Sequence, residues 1–201
     1  MRPAGGARDR PRWRALLEAH PADWHARYHL GLVRYADGDL VGAQAAWQES
    51  LARERTPWTL RCLAESARLA GEPHADLLLA AHALAPQLTE LTVETLRALL
   101  DAGRPAEALA IIDALGETGG RVRLLEARAA LAAGDLDRTG TVLDGDIEVD
   151  NLREGEDSLD AVWFAYHERR LADGSPITEE LAARARRENP LPARYDFRMH
   201  D

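Results

Sequence analysis

The stretch Tyr35-Ala36-Asp37-Gly38-Asp39-Leu40 decides the fold, because it returns in altered form three more times along the chain. Its glycine recurs at a period just above thirty residues, as Gly38, Gly71, Gly103 and Gly134. Apolar sequence of helical character lies on both sides of each glycine. A glycine ends a helix by taking the left-handed conformation without a Cβ clash, so each copy predicts two helices joined by a turn. A chain of such hairpins usually works by presenting a surface rather than by housing a reaction.

Composition and charge narrow the class of protein. Of the 201 residues, 46% are hydrophobic and 5% aromatic, and strong helix formers dominate, which predicts an all-α fold. The net charge of −9 disfavours nucleic acid and anionic membranes as partners, because phosphate groups would be repelled. No apolar stretch approaches the length of a membrane span, and no apolar signal core follows Met1. We therefore expect a cytoplasmic protein.

The residue inventory excludes several kinds of chemistry. All 25 basic residues are arginines, so a lysine-dependent phosphate loop, a Schiff-base lysine and a lysine general base are excluded. Cys62 is the single cysteine, which forbids an internal disulfide, and we interpret it as a packing residue rather than a nucleophile. The G-x-S-x-G and H-E-x-x-H motifs are missing from the sequence. We expect neither an enzyme nor a cofactor.

The chain divides into three regions. Residues 1–10 are rich in Gly, Arg and Pro, which predicts a disordered N-terminus. Residues 11–144 contain a first helix around Trp13 and then the hairpins, in which Pro73 and Pro105 should each occupy the first turn of a helix. Residues 145–201 continue the acidic run 144–157 into two more helices, from about Ser158 and Thr178, and a tail with two prolines.

The first hairpin resembles the tetratricopeptide repeat, a helix-turn-helix module of 34 residues. Trp13 and Leu17 stand 34 residues before Trp47 and Leu51, so residues 11–21 look like the second helix of an incomplete preceding repeat. The resemblance implies an α-solenoid of stacked hairpins with a C-terminal helical cap, and it implies that Trp47 is buried between helices. The residues that carry it are Leu30, Gly31, Tyr35 and Gly38, with Ala43, Trp47 and Leu51 on the second helix.

A second resemblance concerns the C-terminal part. The run from Asn151 to Glu156, the pair Trp163-Phe164 and the segment 192–199 are similar to the end of certain large bacterial proteins. Those proteins join a β-sandwich region similar to sugar mutarotases, of unknown function, to C-terminal tetratricopeptide repeats. The resemblance implies an alternative function for this chain, as the accessory module of a carbohydrate-processing protein.

The first helix of each tetratricopeptide pair lines a concave groove, and alignment on the turn glycines places aromatic and basic side chains there. We therefore predict a scaffold that binds a protein or peptide segment, with an acidic peptide favoured, because Arg forks suit carboxylates. The alternative is that these arginines pair with neighbouring acids on a solvated face. The candidate binding residues are Tyr28, Tyr35, Trp58, Arg61, Arg68, Arg97 and Arg128.

Two further features allow competing interpretations. His25 and His29 lie four residues apart on one helix, a spacing that can hold zinc, but no third ligand is evident nearby and we favour a hydrogen-bonded or exposed pair. The tail 190–199 combines prolines with Leu191, Tyr195, Phe197 and Met199. We predict that it packs back near Trp163 and Phe164 rather than remaining free.

Overall fold

The structure is a computed structural model that describes residues 10–116, 118–145, 147 and 159–195. Within these ranges the chain is helical and contains no strand, which confirms the all-α prediction for this part of the protein. The predicted disordered segment 1–10 lies outside them except for Arg10, where the first helix begins. Most of the acidic run 144–157 and the tail beyond Tyr195 also lie outside the described residues.

The chain forms two compact units, Met1–Ala98 and Leu99–Asp201. The boundary falls within α6 (Thr89–Asp101). The helices of the first unit before α6 are α1 (Arg10–Glu18), α2 (Trp24–Ala36), α3 (Leu40–Arg53), α4 (Pro57–Leu69) and α5 (Ala75–Leu84). Those of the second unit are α7 (Pro105–Asp113), α8 (Gly120–Ala133), α9 (Leu136–Asp144), α10 (Leu159–Ala172) and α11 (Glu179–Glu188), with a 3-10 turn at Ala193–Tyr195.

The four recurring glycines build the same turn. Gly38, Gly71, Gly103 and Gly134 have φ angles between +70° and +83°, the left-handed region that only glycine enters without strain. At each turn, the residue after the glycine donates its N–H to the carbonyl five residues earlier, at 2.8–2.9 Å. This hydrogen bond is the mark of a Schellman motif and satisfies a carbonyl that the helix end would leave without a partner. The predicted positions of the turns are confirmed.

One expectation about prolines is wrong. Pro105 is the first residue of α7, as predicted. Pro73 precedes α5, which begins at Ala75 with His74 as its N-cap. The loop after Gly71 is longer than the loop after Gly103, so Pro73 falls in the loop and not in the helix.

In the first unit, α1 packs on α2, α2 on α3, α3 on α4 and α4 on α5. The close approach of α2 and α3 depends on Gly31, because a Cβ built there would lie 2.2 Å from Nε1 of Trp47. Trp47 is 2% exposed, and its indole N–H donates to the carbonyl of Tyr28 at 3.2 Å. The predicted burial of Trp47 between helices is confirmed.

In the second unit, α7 packs on α8 and α8 on α9, and α10 contacts α8, α9 and α11. The core contains Leu143, Leu159 and Tyr166 together with Tyr195 from the tail. The single O–H of Tyr195 lies between two carbonyl acceptors, with its oxygen 2.7 Å from that of Leu143 and 2.9 Å from that of Gly145. The predicted docking of the tail is thus confirmed up to Tyr195, whereas Phe197 and Met199 lie outside the described residues.

Candidate functional site

The predicted binding residues are divided between the two units. Tyr28 and Tyr35 lie on α2, Trp58, Arg61 and Arg68 on α4, and Arg97 on α6, all within the first unit. Arg128 lies on α8 in the second unit. A site can therefore be described only for the residues of the first unit.

Tyr28 and Trp58 meet in a cleft between the beginnings of α2 and α4. Trp24, His25, Tyr28 and Trp58 line this cleft, which has a volume of 260 Å³. Trp24 is the first residue of α2 and lies one helical turn before Tyr28, so the two rings share one face of the helix. Trp58 follows Pro57, the first residue of α4, and is 47% exposed.

Hydrogen bonds fix the two helix ends that carry these rings. The Ser50 hydroxyl donates to the carbonyl of Trp24 at 2.9 Å and lies 3.3 Å from the hydroxyl oxygen of Thr59. The Thr56 side chain caps α4 by accepting from the backbone N–H of Thr59. All three polar residues are buried, so breaking this network would leave groups without partners. The network therefore ties the beginnings of α2 and α4 to α3.

A second cleft lies beside the first, between α1 and α2, and His25 belongs to both. Its volume is 330 Å³, and Trp13 and Leu16 of α1 contribute half-exposed apolar surface to it. We call the rings that line the two clefts the aromatic strip. The members of the strip are Trp13, His20, Trp24, His25, Tyr28, His29 and Trp58.

His25 and His29 form a hydrogen-bonded pair within the strip, with their Nε2 atoms 3.1 Å apart. Burial lowers the pKa of His29, and the neighbouring His25 lowers it further. His29 is therefore neutral at pH 7 and can share a single proton with its partner. In the described part of the chain no group of three potential ligands could hold a metal ion, so the pair lacks the third ligand that zinc would need.

Tyr28 also contacts Cys62 of α4. Burial raises the pKa of the Cys62 thiol to about 11, which keeps it protonated at neutral pH. Burial also raises the pKa of Tyr28, with the Cys62 side chain as the next cause. The thiol therefore acts as a packing group beside the cleft, since the thiolate is the form that attacks electrophiles.

The groove arginines of α4 already have carboxylate partners. The Arg61 guanidinium donates two hydrogen bonds to the carboxylate of Glu94 on α6. Its Nε lies 2.6 Å from Oε2, and its Nη2 donates to Oε1. Arg68 makes the same two-point contact with Glu65 on its own helix, at 2.7 and 2.8 Å. The sequence allowed two interpretations of these arginines, as a binding face for acidic peptides or as a solvated face of ion pairs. Arg61 and Arg68 agree with the second. Arg97 and Arg128 are half-buried.

Trp24, Trp13 and Leu16 were not among the predicted binding residues. Trp24 could have been found from its spacing, because it precedes Tyr28 by one helical turn. Trp13 and Leu16 could not have been found in this way. The repeat pattern places Trp13 at the position of Trp47, which is buried, and so predicts a packing role for Trp13.

Comparison with known proteins adds no relative to this description. No model of a protein family matches the chain, and no curated protein sequence matches it.

Proposed function

We propose that this protein is a non-catalytic scaffold that binds a peptide segment of a partner protein along the exposed faces of α2 and α4. The observation that carries the proposal is Trp58, a large aromatic side chain left 47% exposed beside a cleft formed by Trp24, His25 and Tyr28. Tryptophan and tyrosine anchor many protein interfaces, because their rings give much contact area at little cost in conformational entropy.

We also infer that the helices of the first unit belong to an α-solenoid of the tetratricopeptide type. Residues one repeat period apart are in contact: Arg61 of α4 forms an ion pair with Glu94 of α6. The identical glycine turns and the contact between Gly31 and Trp47 support the same inference. In such an array α2 and α4 would be the first helices of neighbouring pairs, so the aromatic cleft would lie in the groove.

The preference for acidic peptides stays a prediction, and it meets an obstacle at Arg61 and Arg68. An acidic ligand would have to displace Glu94 or Glu65 from a two-point ion pair. The alternative function, as an accessory module of a carbohydrate-processing protein, also stays a prediction. No contact among the described residues favours it.

The proposal can be tested with peptides selected from a random display library on the purified protein. The affinity of each selected peptide is then measured for the wild type, for Trp58→Ala and for Ile177→Ala. Ile177 is a matched control, because it has the same 47% exposure but lies in the loop before α11. Loss of an interface anchor costs about 2 kcal/mol or more, so Trp58→Ala should weaken binding at least tenfold while Ile177→Ala leaves it unchanged.

Two results would contradict the proposal. One is a selection that yields no peptide above background. The other is a set of selected peptides whose affinities are the same for the wild type and for Trp58→Ala. Circular dichroism of each variant establishes that a lost affinity reflects the surface and not the fold.

A further inference from the structure

We propose that the aromatic strip binds an extended, proline-containing peptide segment that carries no charge where it contacts the strip. The inference rests on the proposed function and names the class of ligand. Three observations carry it: the charge of the lining residues, the hydrogen-bond donors that the strip presents, and the way in which this chain binds its own tail.

The strip is nearly free of ionised groups in a protein of which 29% of the residues are charged. Among the described residues that line the two clefts, Asp23 is the only Asp, Glu or Arg. Its carboxylate accepts from the backbone N–H of His25 at 3.0 Å and caps α2. An anionic ligand group would lose hydration here without meeting an opposite charge, and the one carboxylate that a cationic group could meet already accepts from the end of α2, so the surface favours an uncharged ligand.

The strip offers hydrogen-bond donors to a ligand that has free carbonyl groups. Within the described residues, no group accepts a hydrogen bond from the indole N–H of Trp24 or of Trp58. A helical peptide has most of its carbonyls engaged internally. A polyproline II segment has none engaged, and it arrives with much of its ordering entropy already removed.

The aromatic rings of the strip also favour a proline-containing ligand. Proline-rich segments dock in grooves lined by aromatic side chains, where pyrrolidine rings lie against indole and phenol faces. Four rings of the strip, all on α2, form a connected series. Their centroids are 5.2 Å apart for Trp24 and His25, 4.4 Å for His25 and His29, and 5.1 Å for His29 and Tyr28.

The second unit shows how a tryptophan of this chain contacts a segment next to a proline. The indole N–H of Trp163 donates at 3.2 Å to the carbonyl of Asn189, the residue before Pro190. Leu191 packs against the same cluster, and the ring of Tyr195 lies 6.0 Å from that of Trp163. A tryptophan of this chain thus already donates to the backbone carbonyl that precedes a proline, at the end of α11.

The test uses the full chain and four blocked synthetic peptides of equal length. One alternates proline with leucine and alanine, one is a glycine-serine peptide, one is acidic and one is arginine-rich. Binding is followed by calorimetry at low and at high salt. We expect the proline peptide to bind tightest, with an affinity that salt does not change, since no exposed charge takes part in the contact.

Variants then separate the contributions of ring and donor. Trp58→Ala should weaken binding of the proline peptide at least tenfold. Trp58→Phe, which keeps an aromatic face but lacks the N–H, should weaken it by a smaller factor. Ile177→Ala serves as the matched control and should have no effect.

Other outcomes overturn the inference in distinguishable ways. If the acidic peptide binds tightest and salt weakens it, the ligand class is wrong while the proposed scaffold function stands. The same holds if library peptides bind through Trp58 but show no enrichment of proline. If neither the four peptides nor any library peptide binds, the proposed function fails as well. If light scattering shows self-association that Trp58→Ala abolishes, the strip is an interface between copies of this chain.

Discussion

Trp163 in the second unit is covered by a segment of its own chain, whereas the described residues leave Trp58 in the first unit half-exposed. Its indole N–H is bound by Asn189, and the tail lies against its cluster as far as Tyr195. Trp58 has no such partner among the described residues and is 47% exposed. The difference indicates that the second unit uses its aromatic surface for packing, whereas the first unit leaves its own exposed, as the proposed binding function requires.

Trp47 extends the comparison to a tryptophan that is completely enclosed. It is 2% exposed, lies against the missing side chain of Gly31 and donates to the carbonyl of Tyr28. Three tryptophans of one chain thus range from core, through covered surface, to open surface. Substitutions should affect stability in that order and binding in the reverse order.

The largest effect on stability is expected at the enclosed residue. Trp47→Ala should lower the free energy of unfolding by about 3–5 kcal/mol, because it removes a large buried side chain and leaves a cavity. Trp58→Ala, as the exposed counterpart, should cost less than about 1 kcal/mol. Urea denaturation of both variants measures the difference. A loss below about 1 kcal/mol for Trp47→Ala would mean that the helix register is wrong.

Deletion of the tail should have the second-largest effect on stability. Deletion of residues 190–201 removes the buried ring of Tyr195 and the hydroxyl that donates to the backbone carbonyls of Leu143 and Gly145, and it exposes the Trp163 cluster. We expect a loss on the order of 3 kcal/mol, seen as a lower melting temperature or as new self-association of the exposed apolar surface. Tyr195→Phe, which loses only the hydroxyl, should cost about 1–2 kcal/mol.

A different result for the tail would change the comparison between the units. If the truncated protein melts at the same temperature as the wild type and stays monodisperse, the tail does not stabilise the second unit. Tyr195 would then become a candidate for contact with an outside partner, as Trp58 is.

Local patterns predicted much of this fold, and long-range contacts account for what they missed. The four turn glycines agree with the sequence because a glycine stop acts within a few residues. Gly174 was not recognised as a turn glycine. It has φ +81°, but it follows Gly134 by more than one period and is preceded by Asp173, which also has a positive φ.

The candidate site was less predictable than the fold. Alignment of the turns identified Tyr28 and Trp58, which the structure brings together, because both lie on helices that end at a turn glycine. The partner of Arg61 was not identified, although Glu94 lies one repeat period away. Charge alone could not decide that pairing, because the sequence offers many carboxylates.

The covered cluster of the second unit should also be sensitive to acid. His167 lies beside Trp163, with ring centroids 4.4 Å apart, and its buried Nε2 has no partner among the described residues. Burial lowers its pKa, and nearby Arg170 lowers it further while Asp144 opposes the shift. Because the folded pKa lies below the unfolded value of about 6.5, stability is complete above that pH and falls as the pH decreases through it.

The measurement is the melting temperature between pH 7.5 and pH 5, for the wild type and two variants. His167→Gln should reduce the fall in melting temperature, since it removes one group that binds protons preferentially when unfolded. His20→Gln, at an exposed position, is the matched control and should follow the wild type. Identical slopes for all three proteins would exclude His167 as a source of acid sensitivity. We expect this effect to be smaller than that of the tail deletion, because one histidine among several contributes it.

The smallest effect on stability is expected from the ion pair at the edge of the open surface. Arg61 and Glu94 have side chains that are 53% and 35% exposed, so the pair should contribute only about 0.2–1 kcal/mol in a double-mutant cycle.

The effect of this ion pair on binding should be larger than its effect on stability, because Glu94→Gln frees the Arg61 guanidinium, whose charge acts on Tyr28. We expect the wild type to bind an acidic peptide weakly and Glu94→Gln to bind it more tightly, with a gain that high salt removes. Glu188→Gln, which breaks a pair with Arg184 on α11, controls for the loss of one negative charge from the protein. If the wild type already binds the acidic peptide best and Glu94→Gln adds nothing, the arginine pairs yield readily to a ligand. The first unit would then be open to acidic peptides as well as to aromatic contacts.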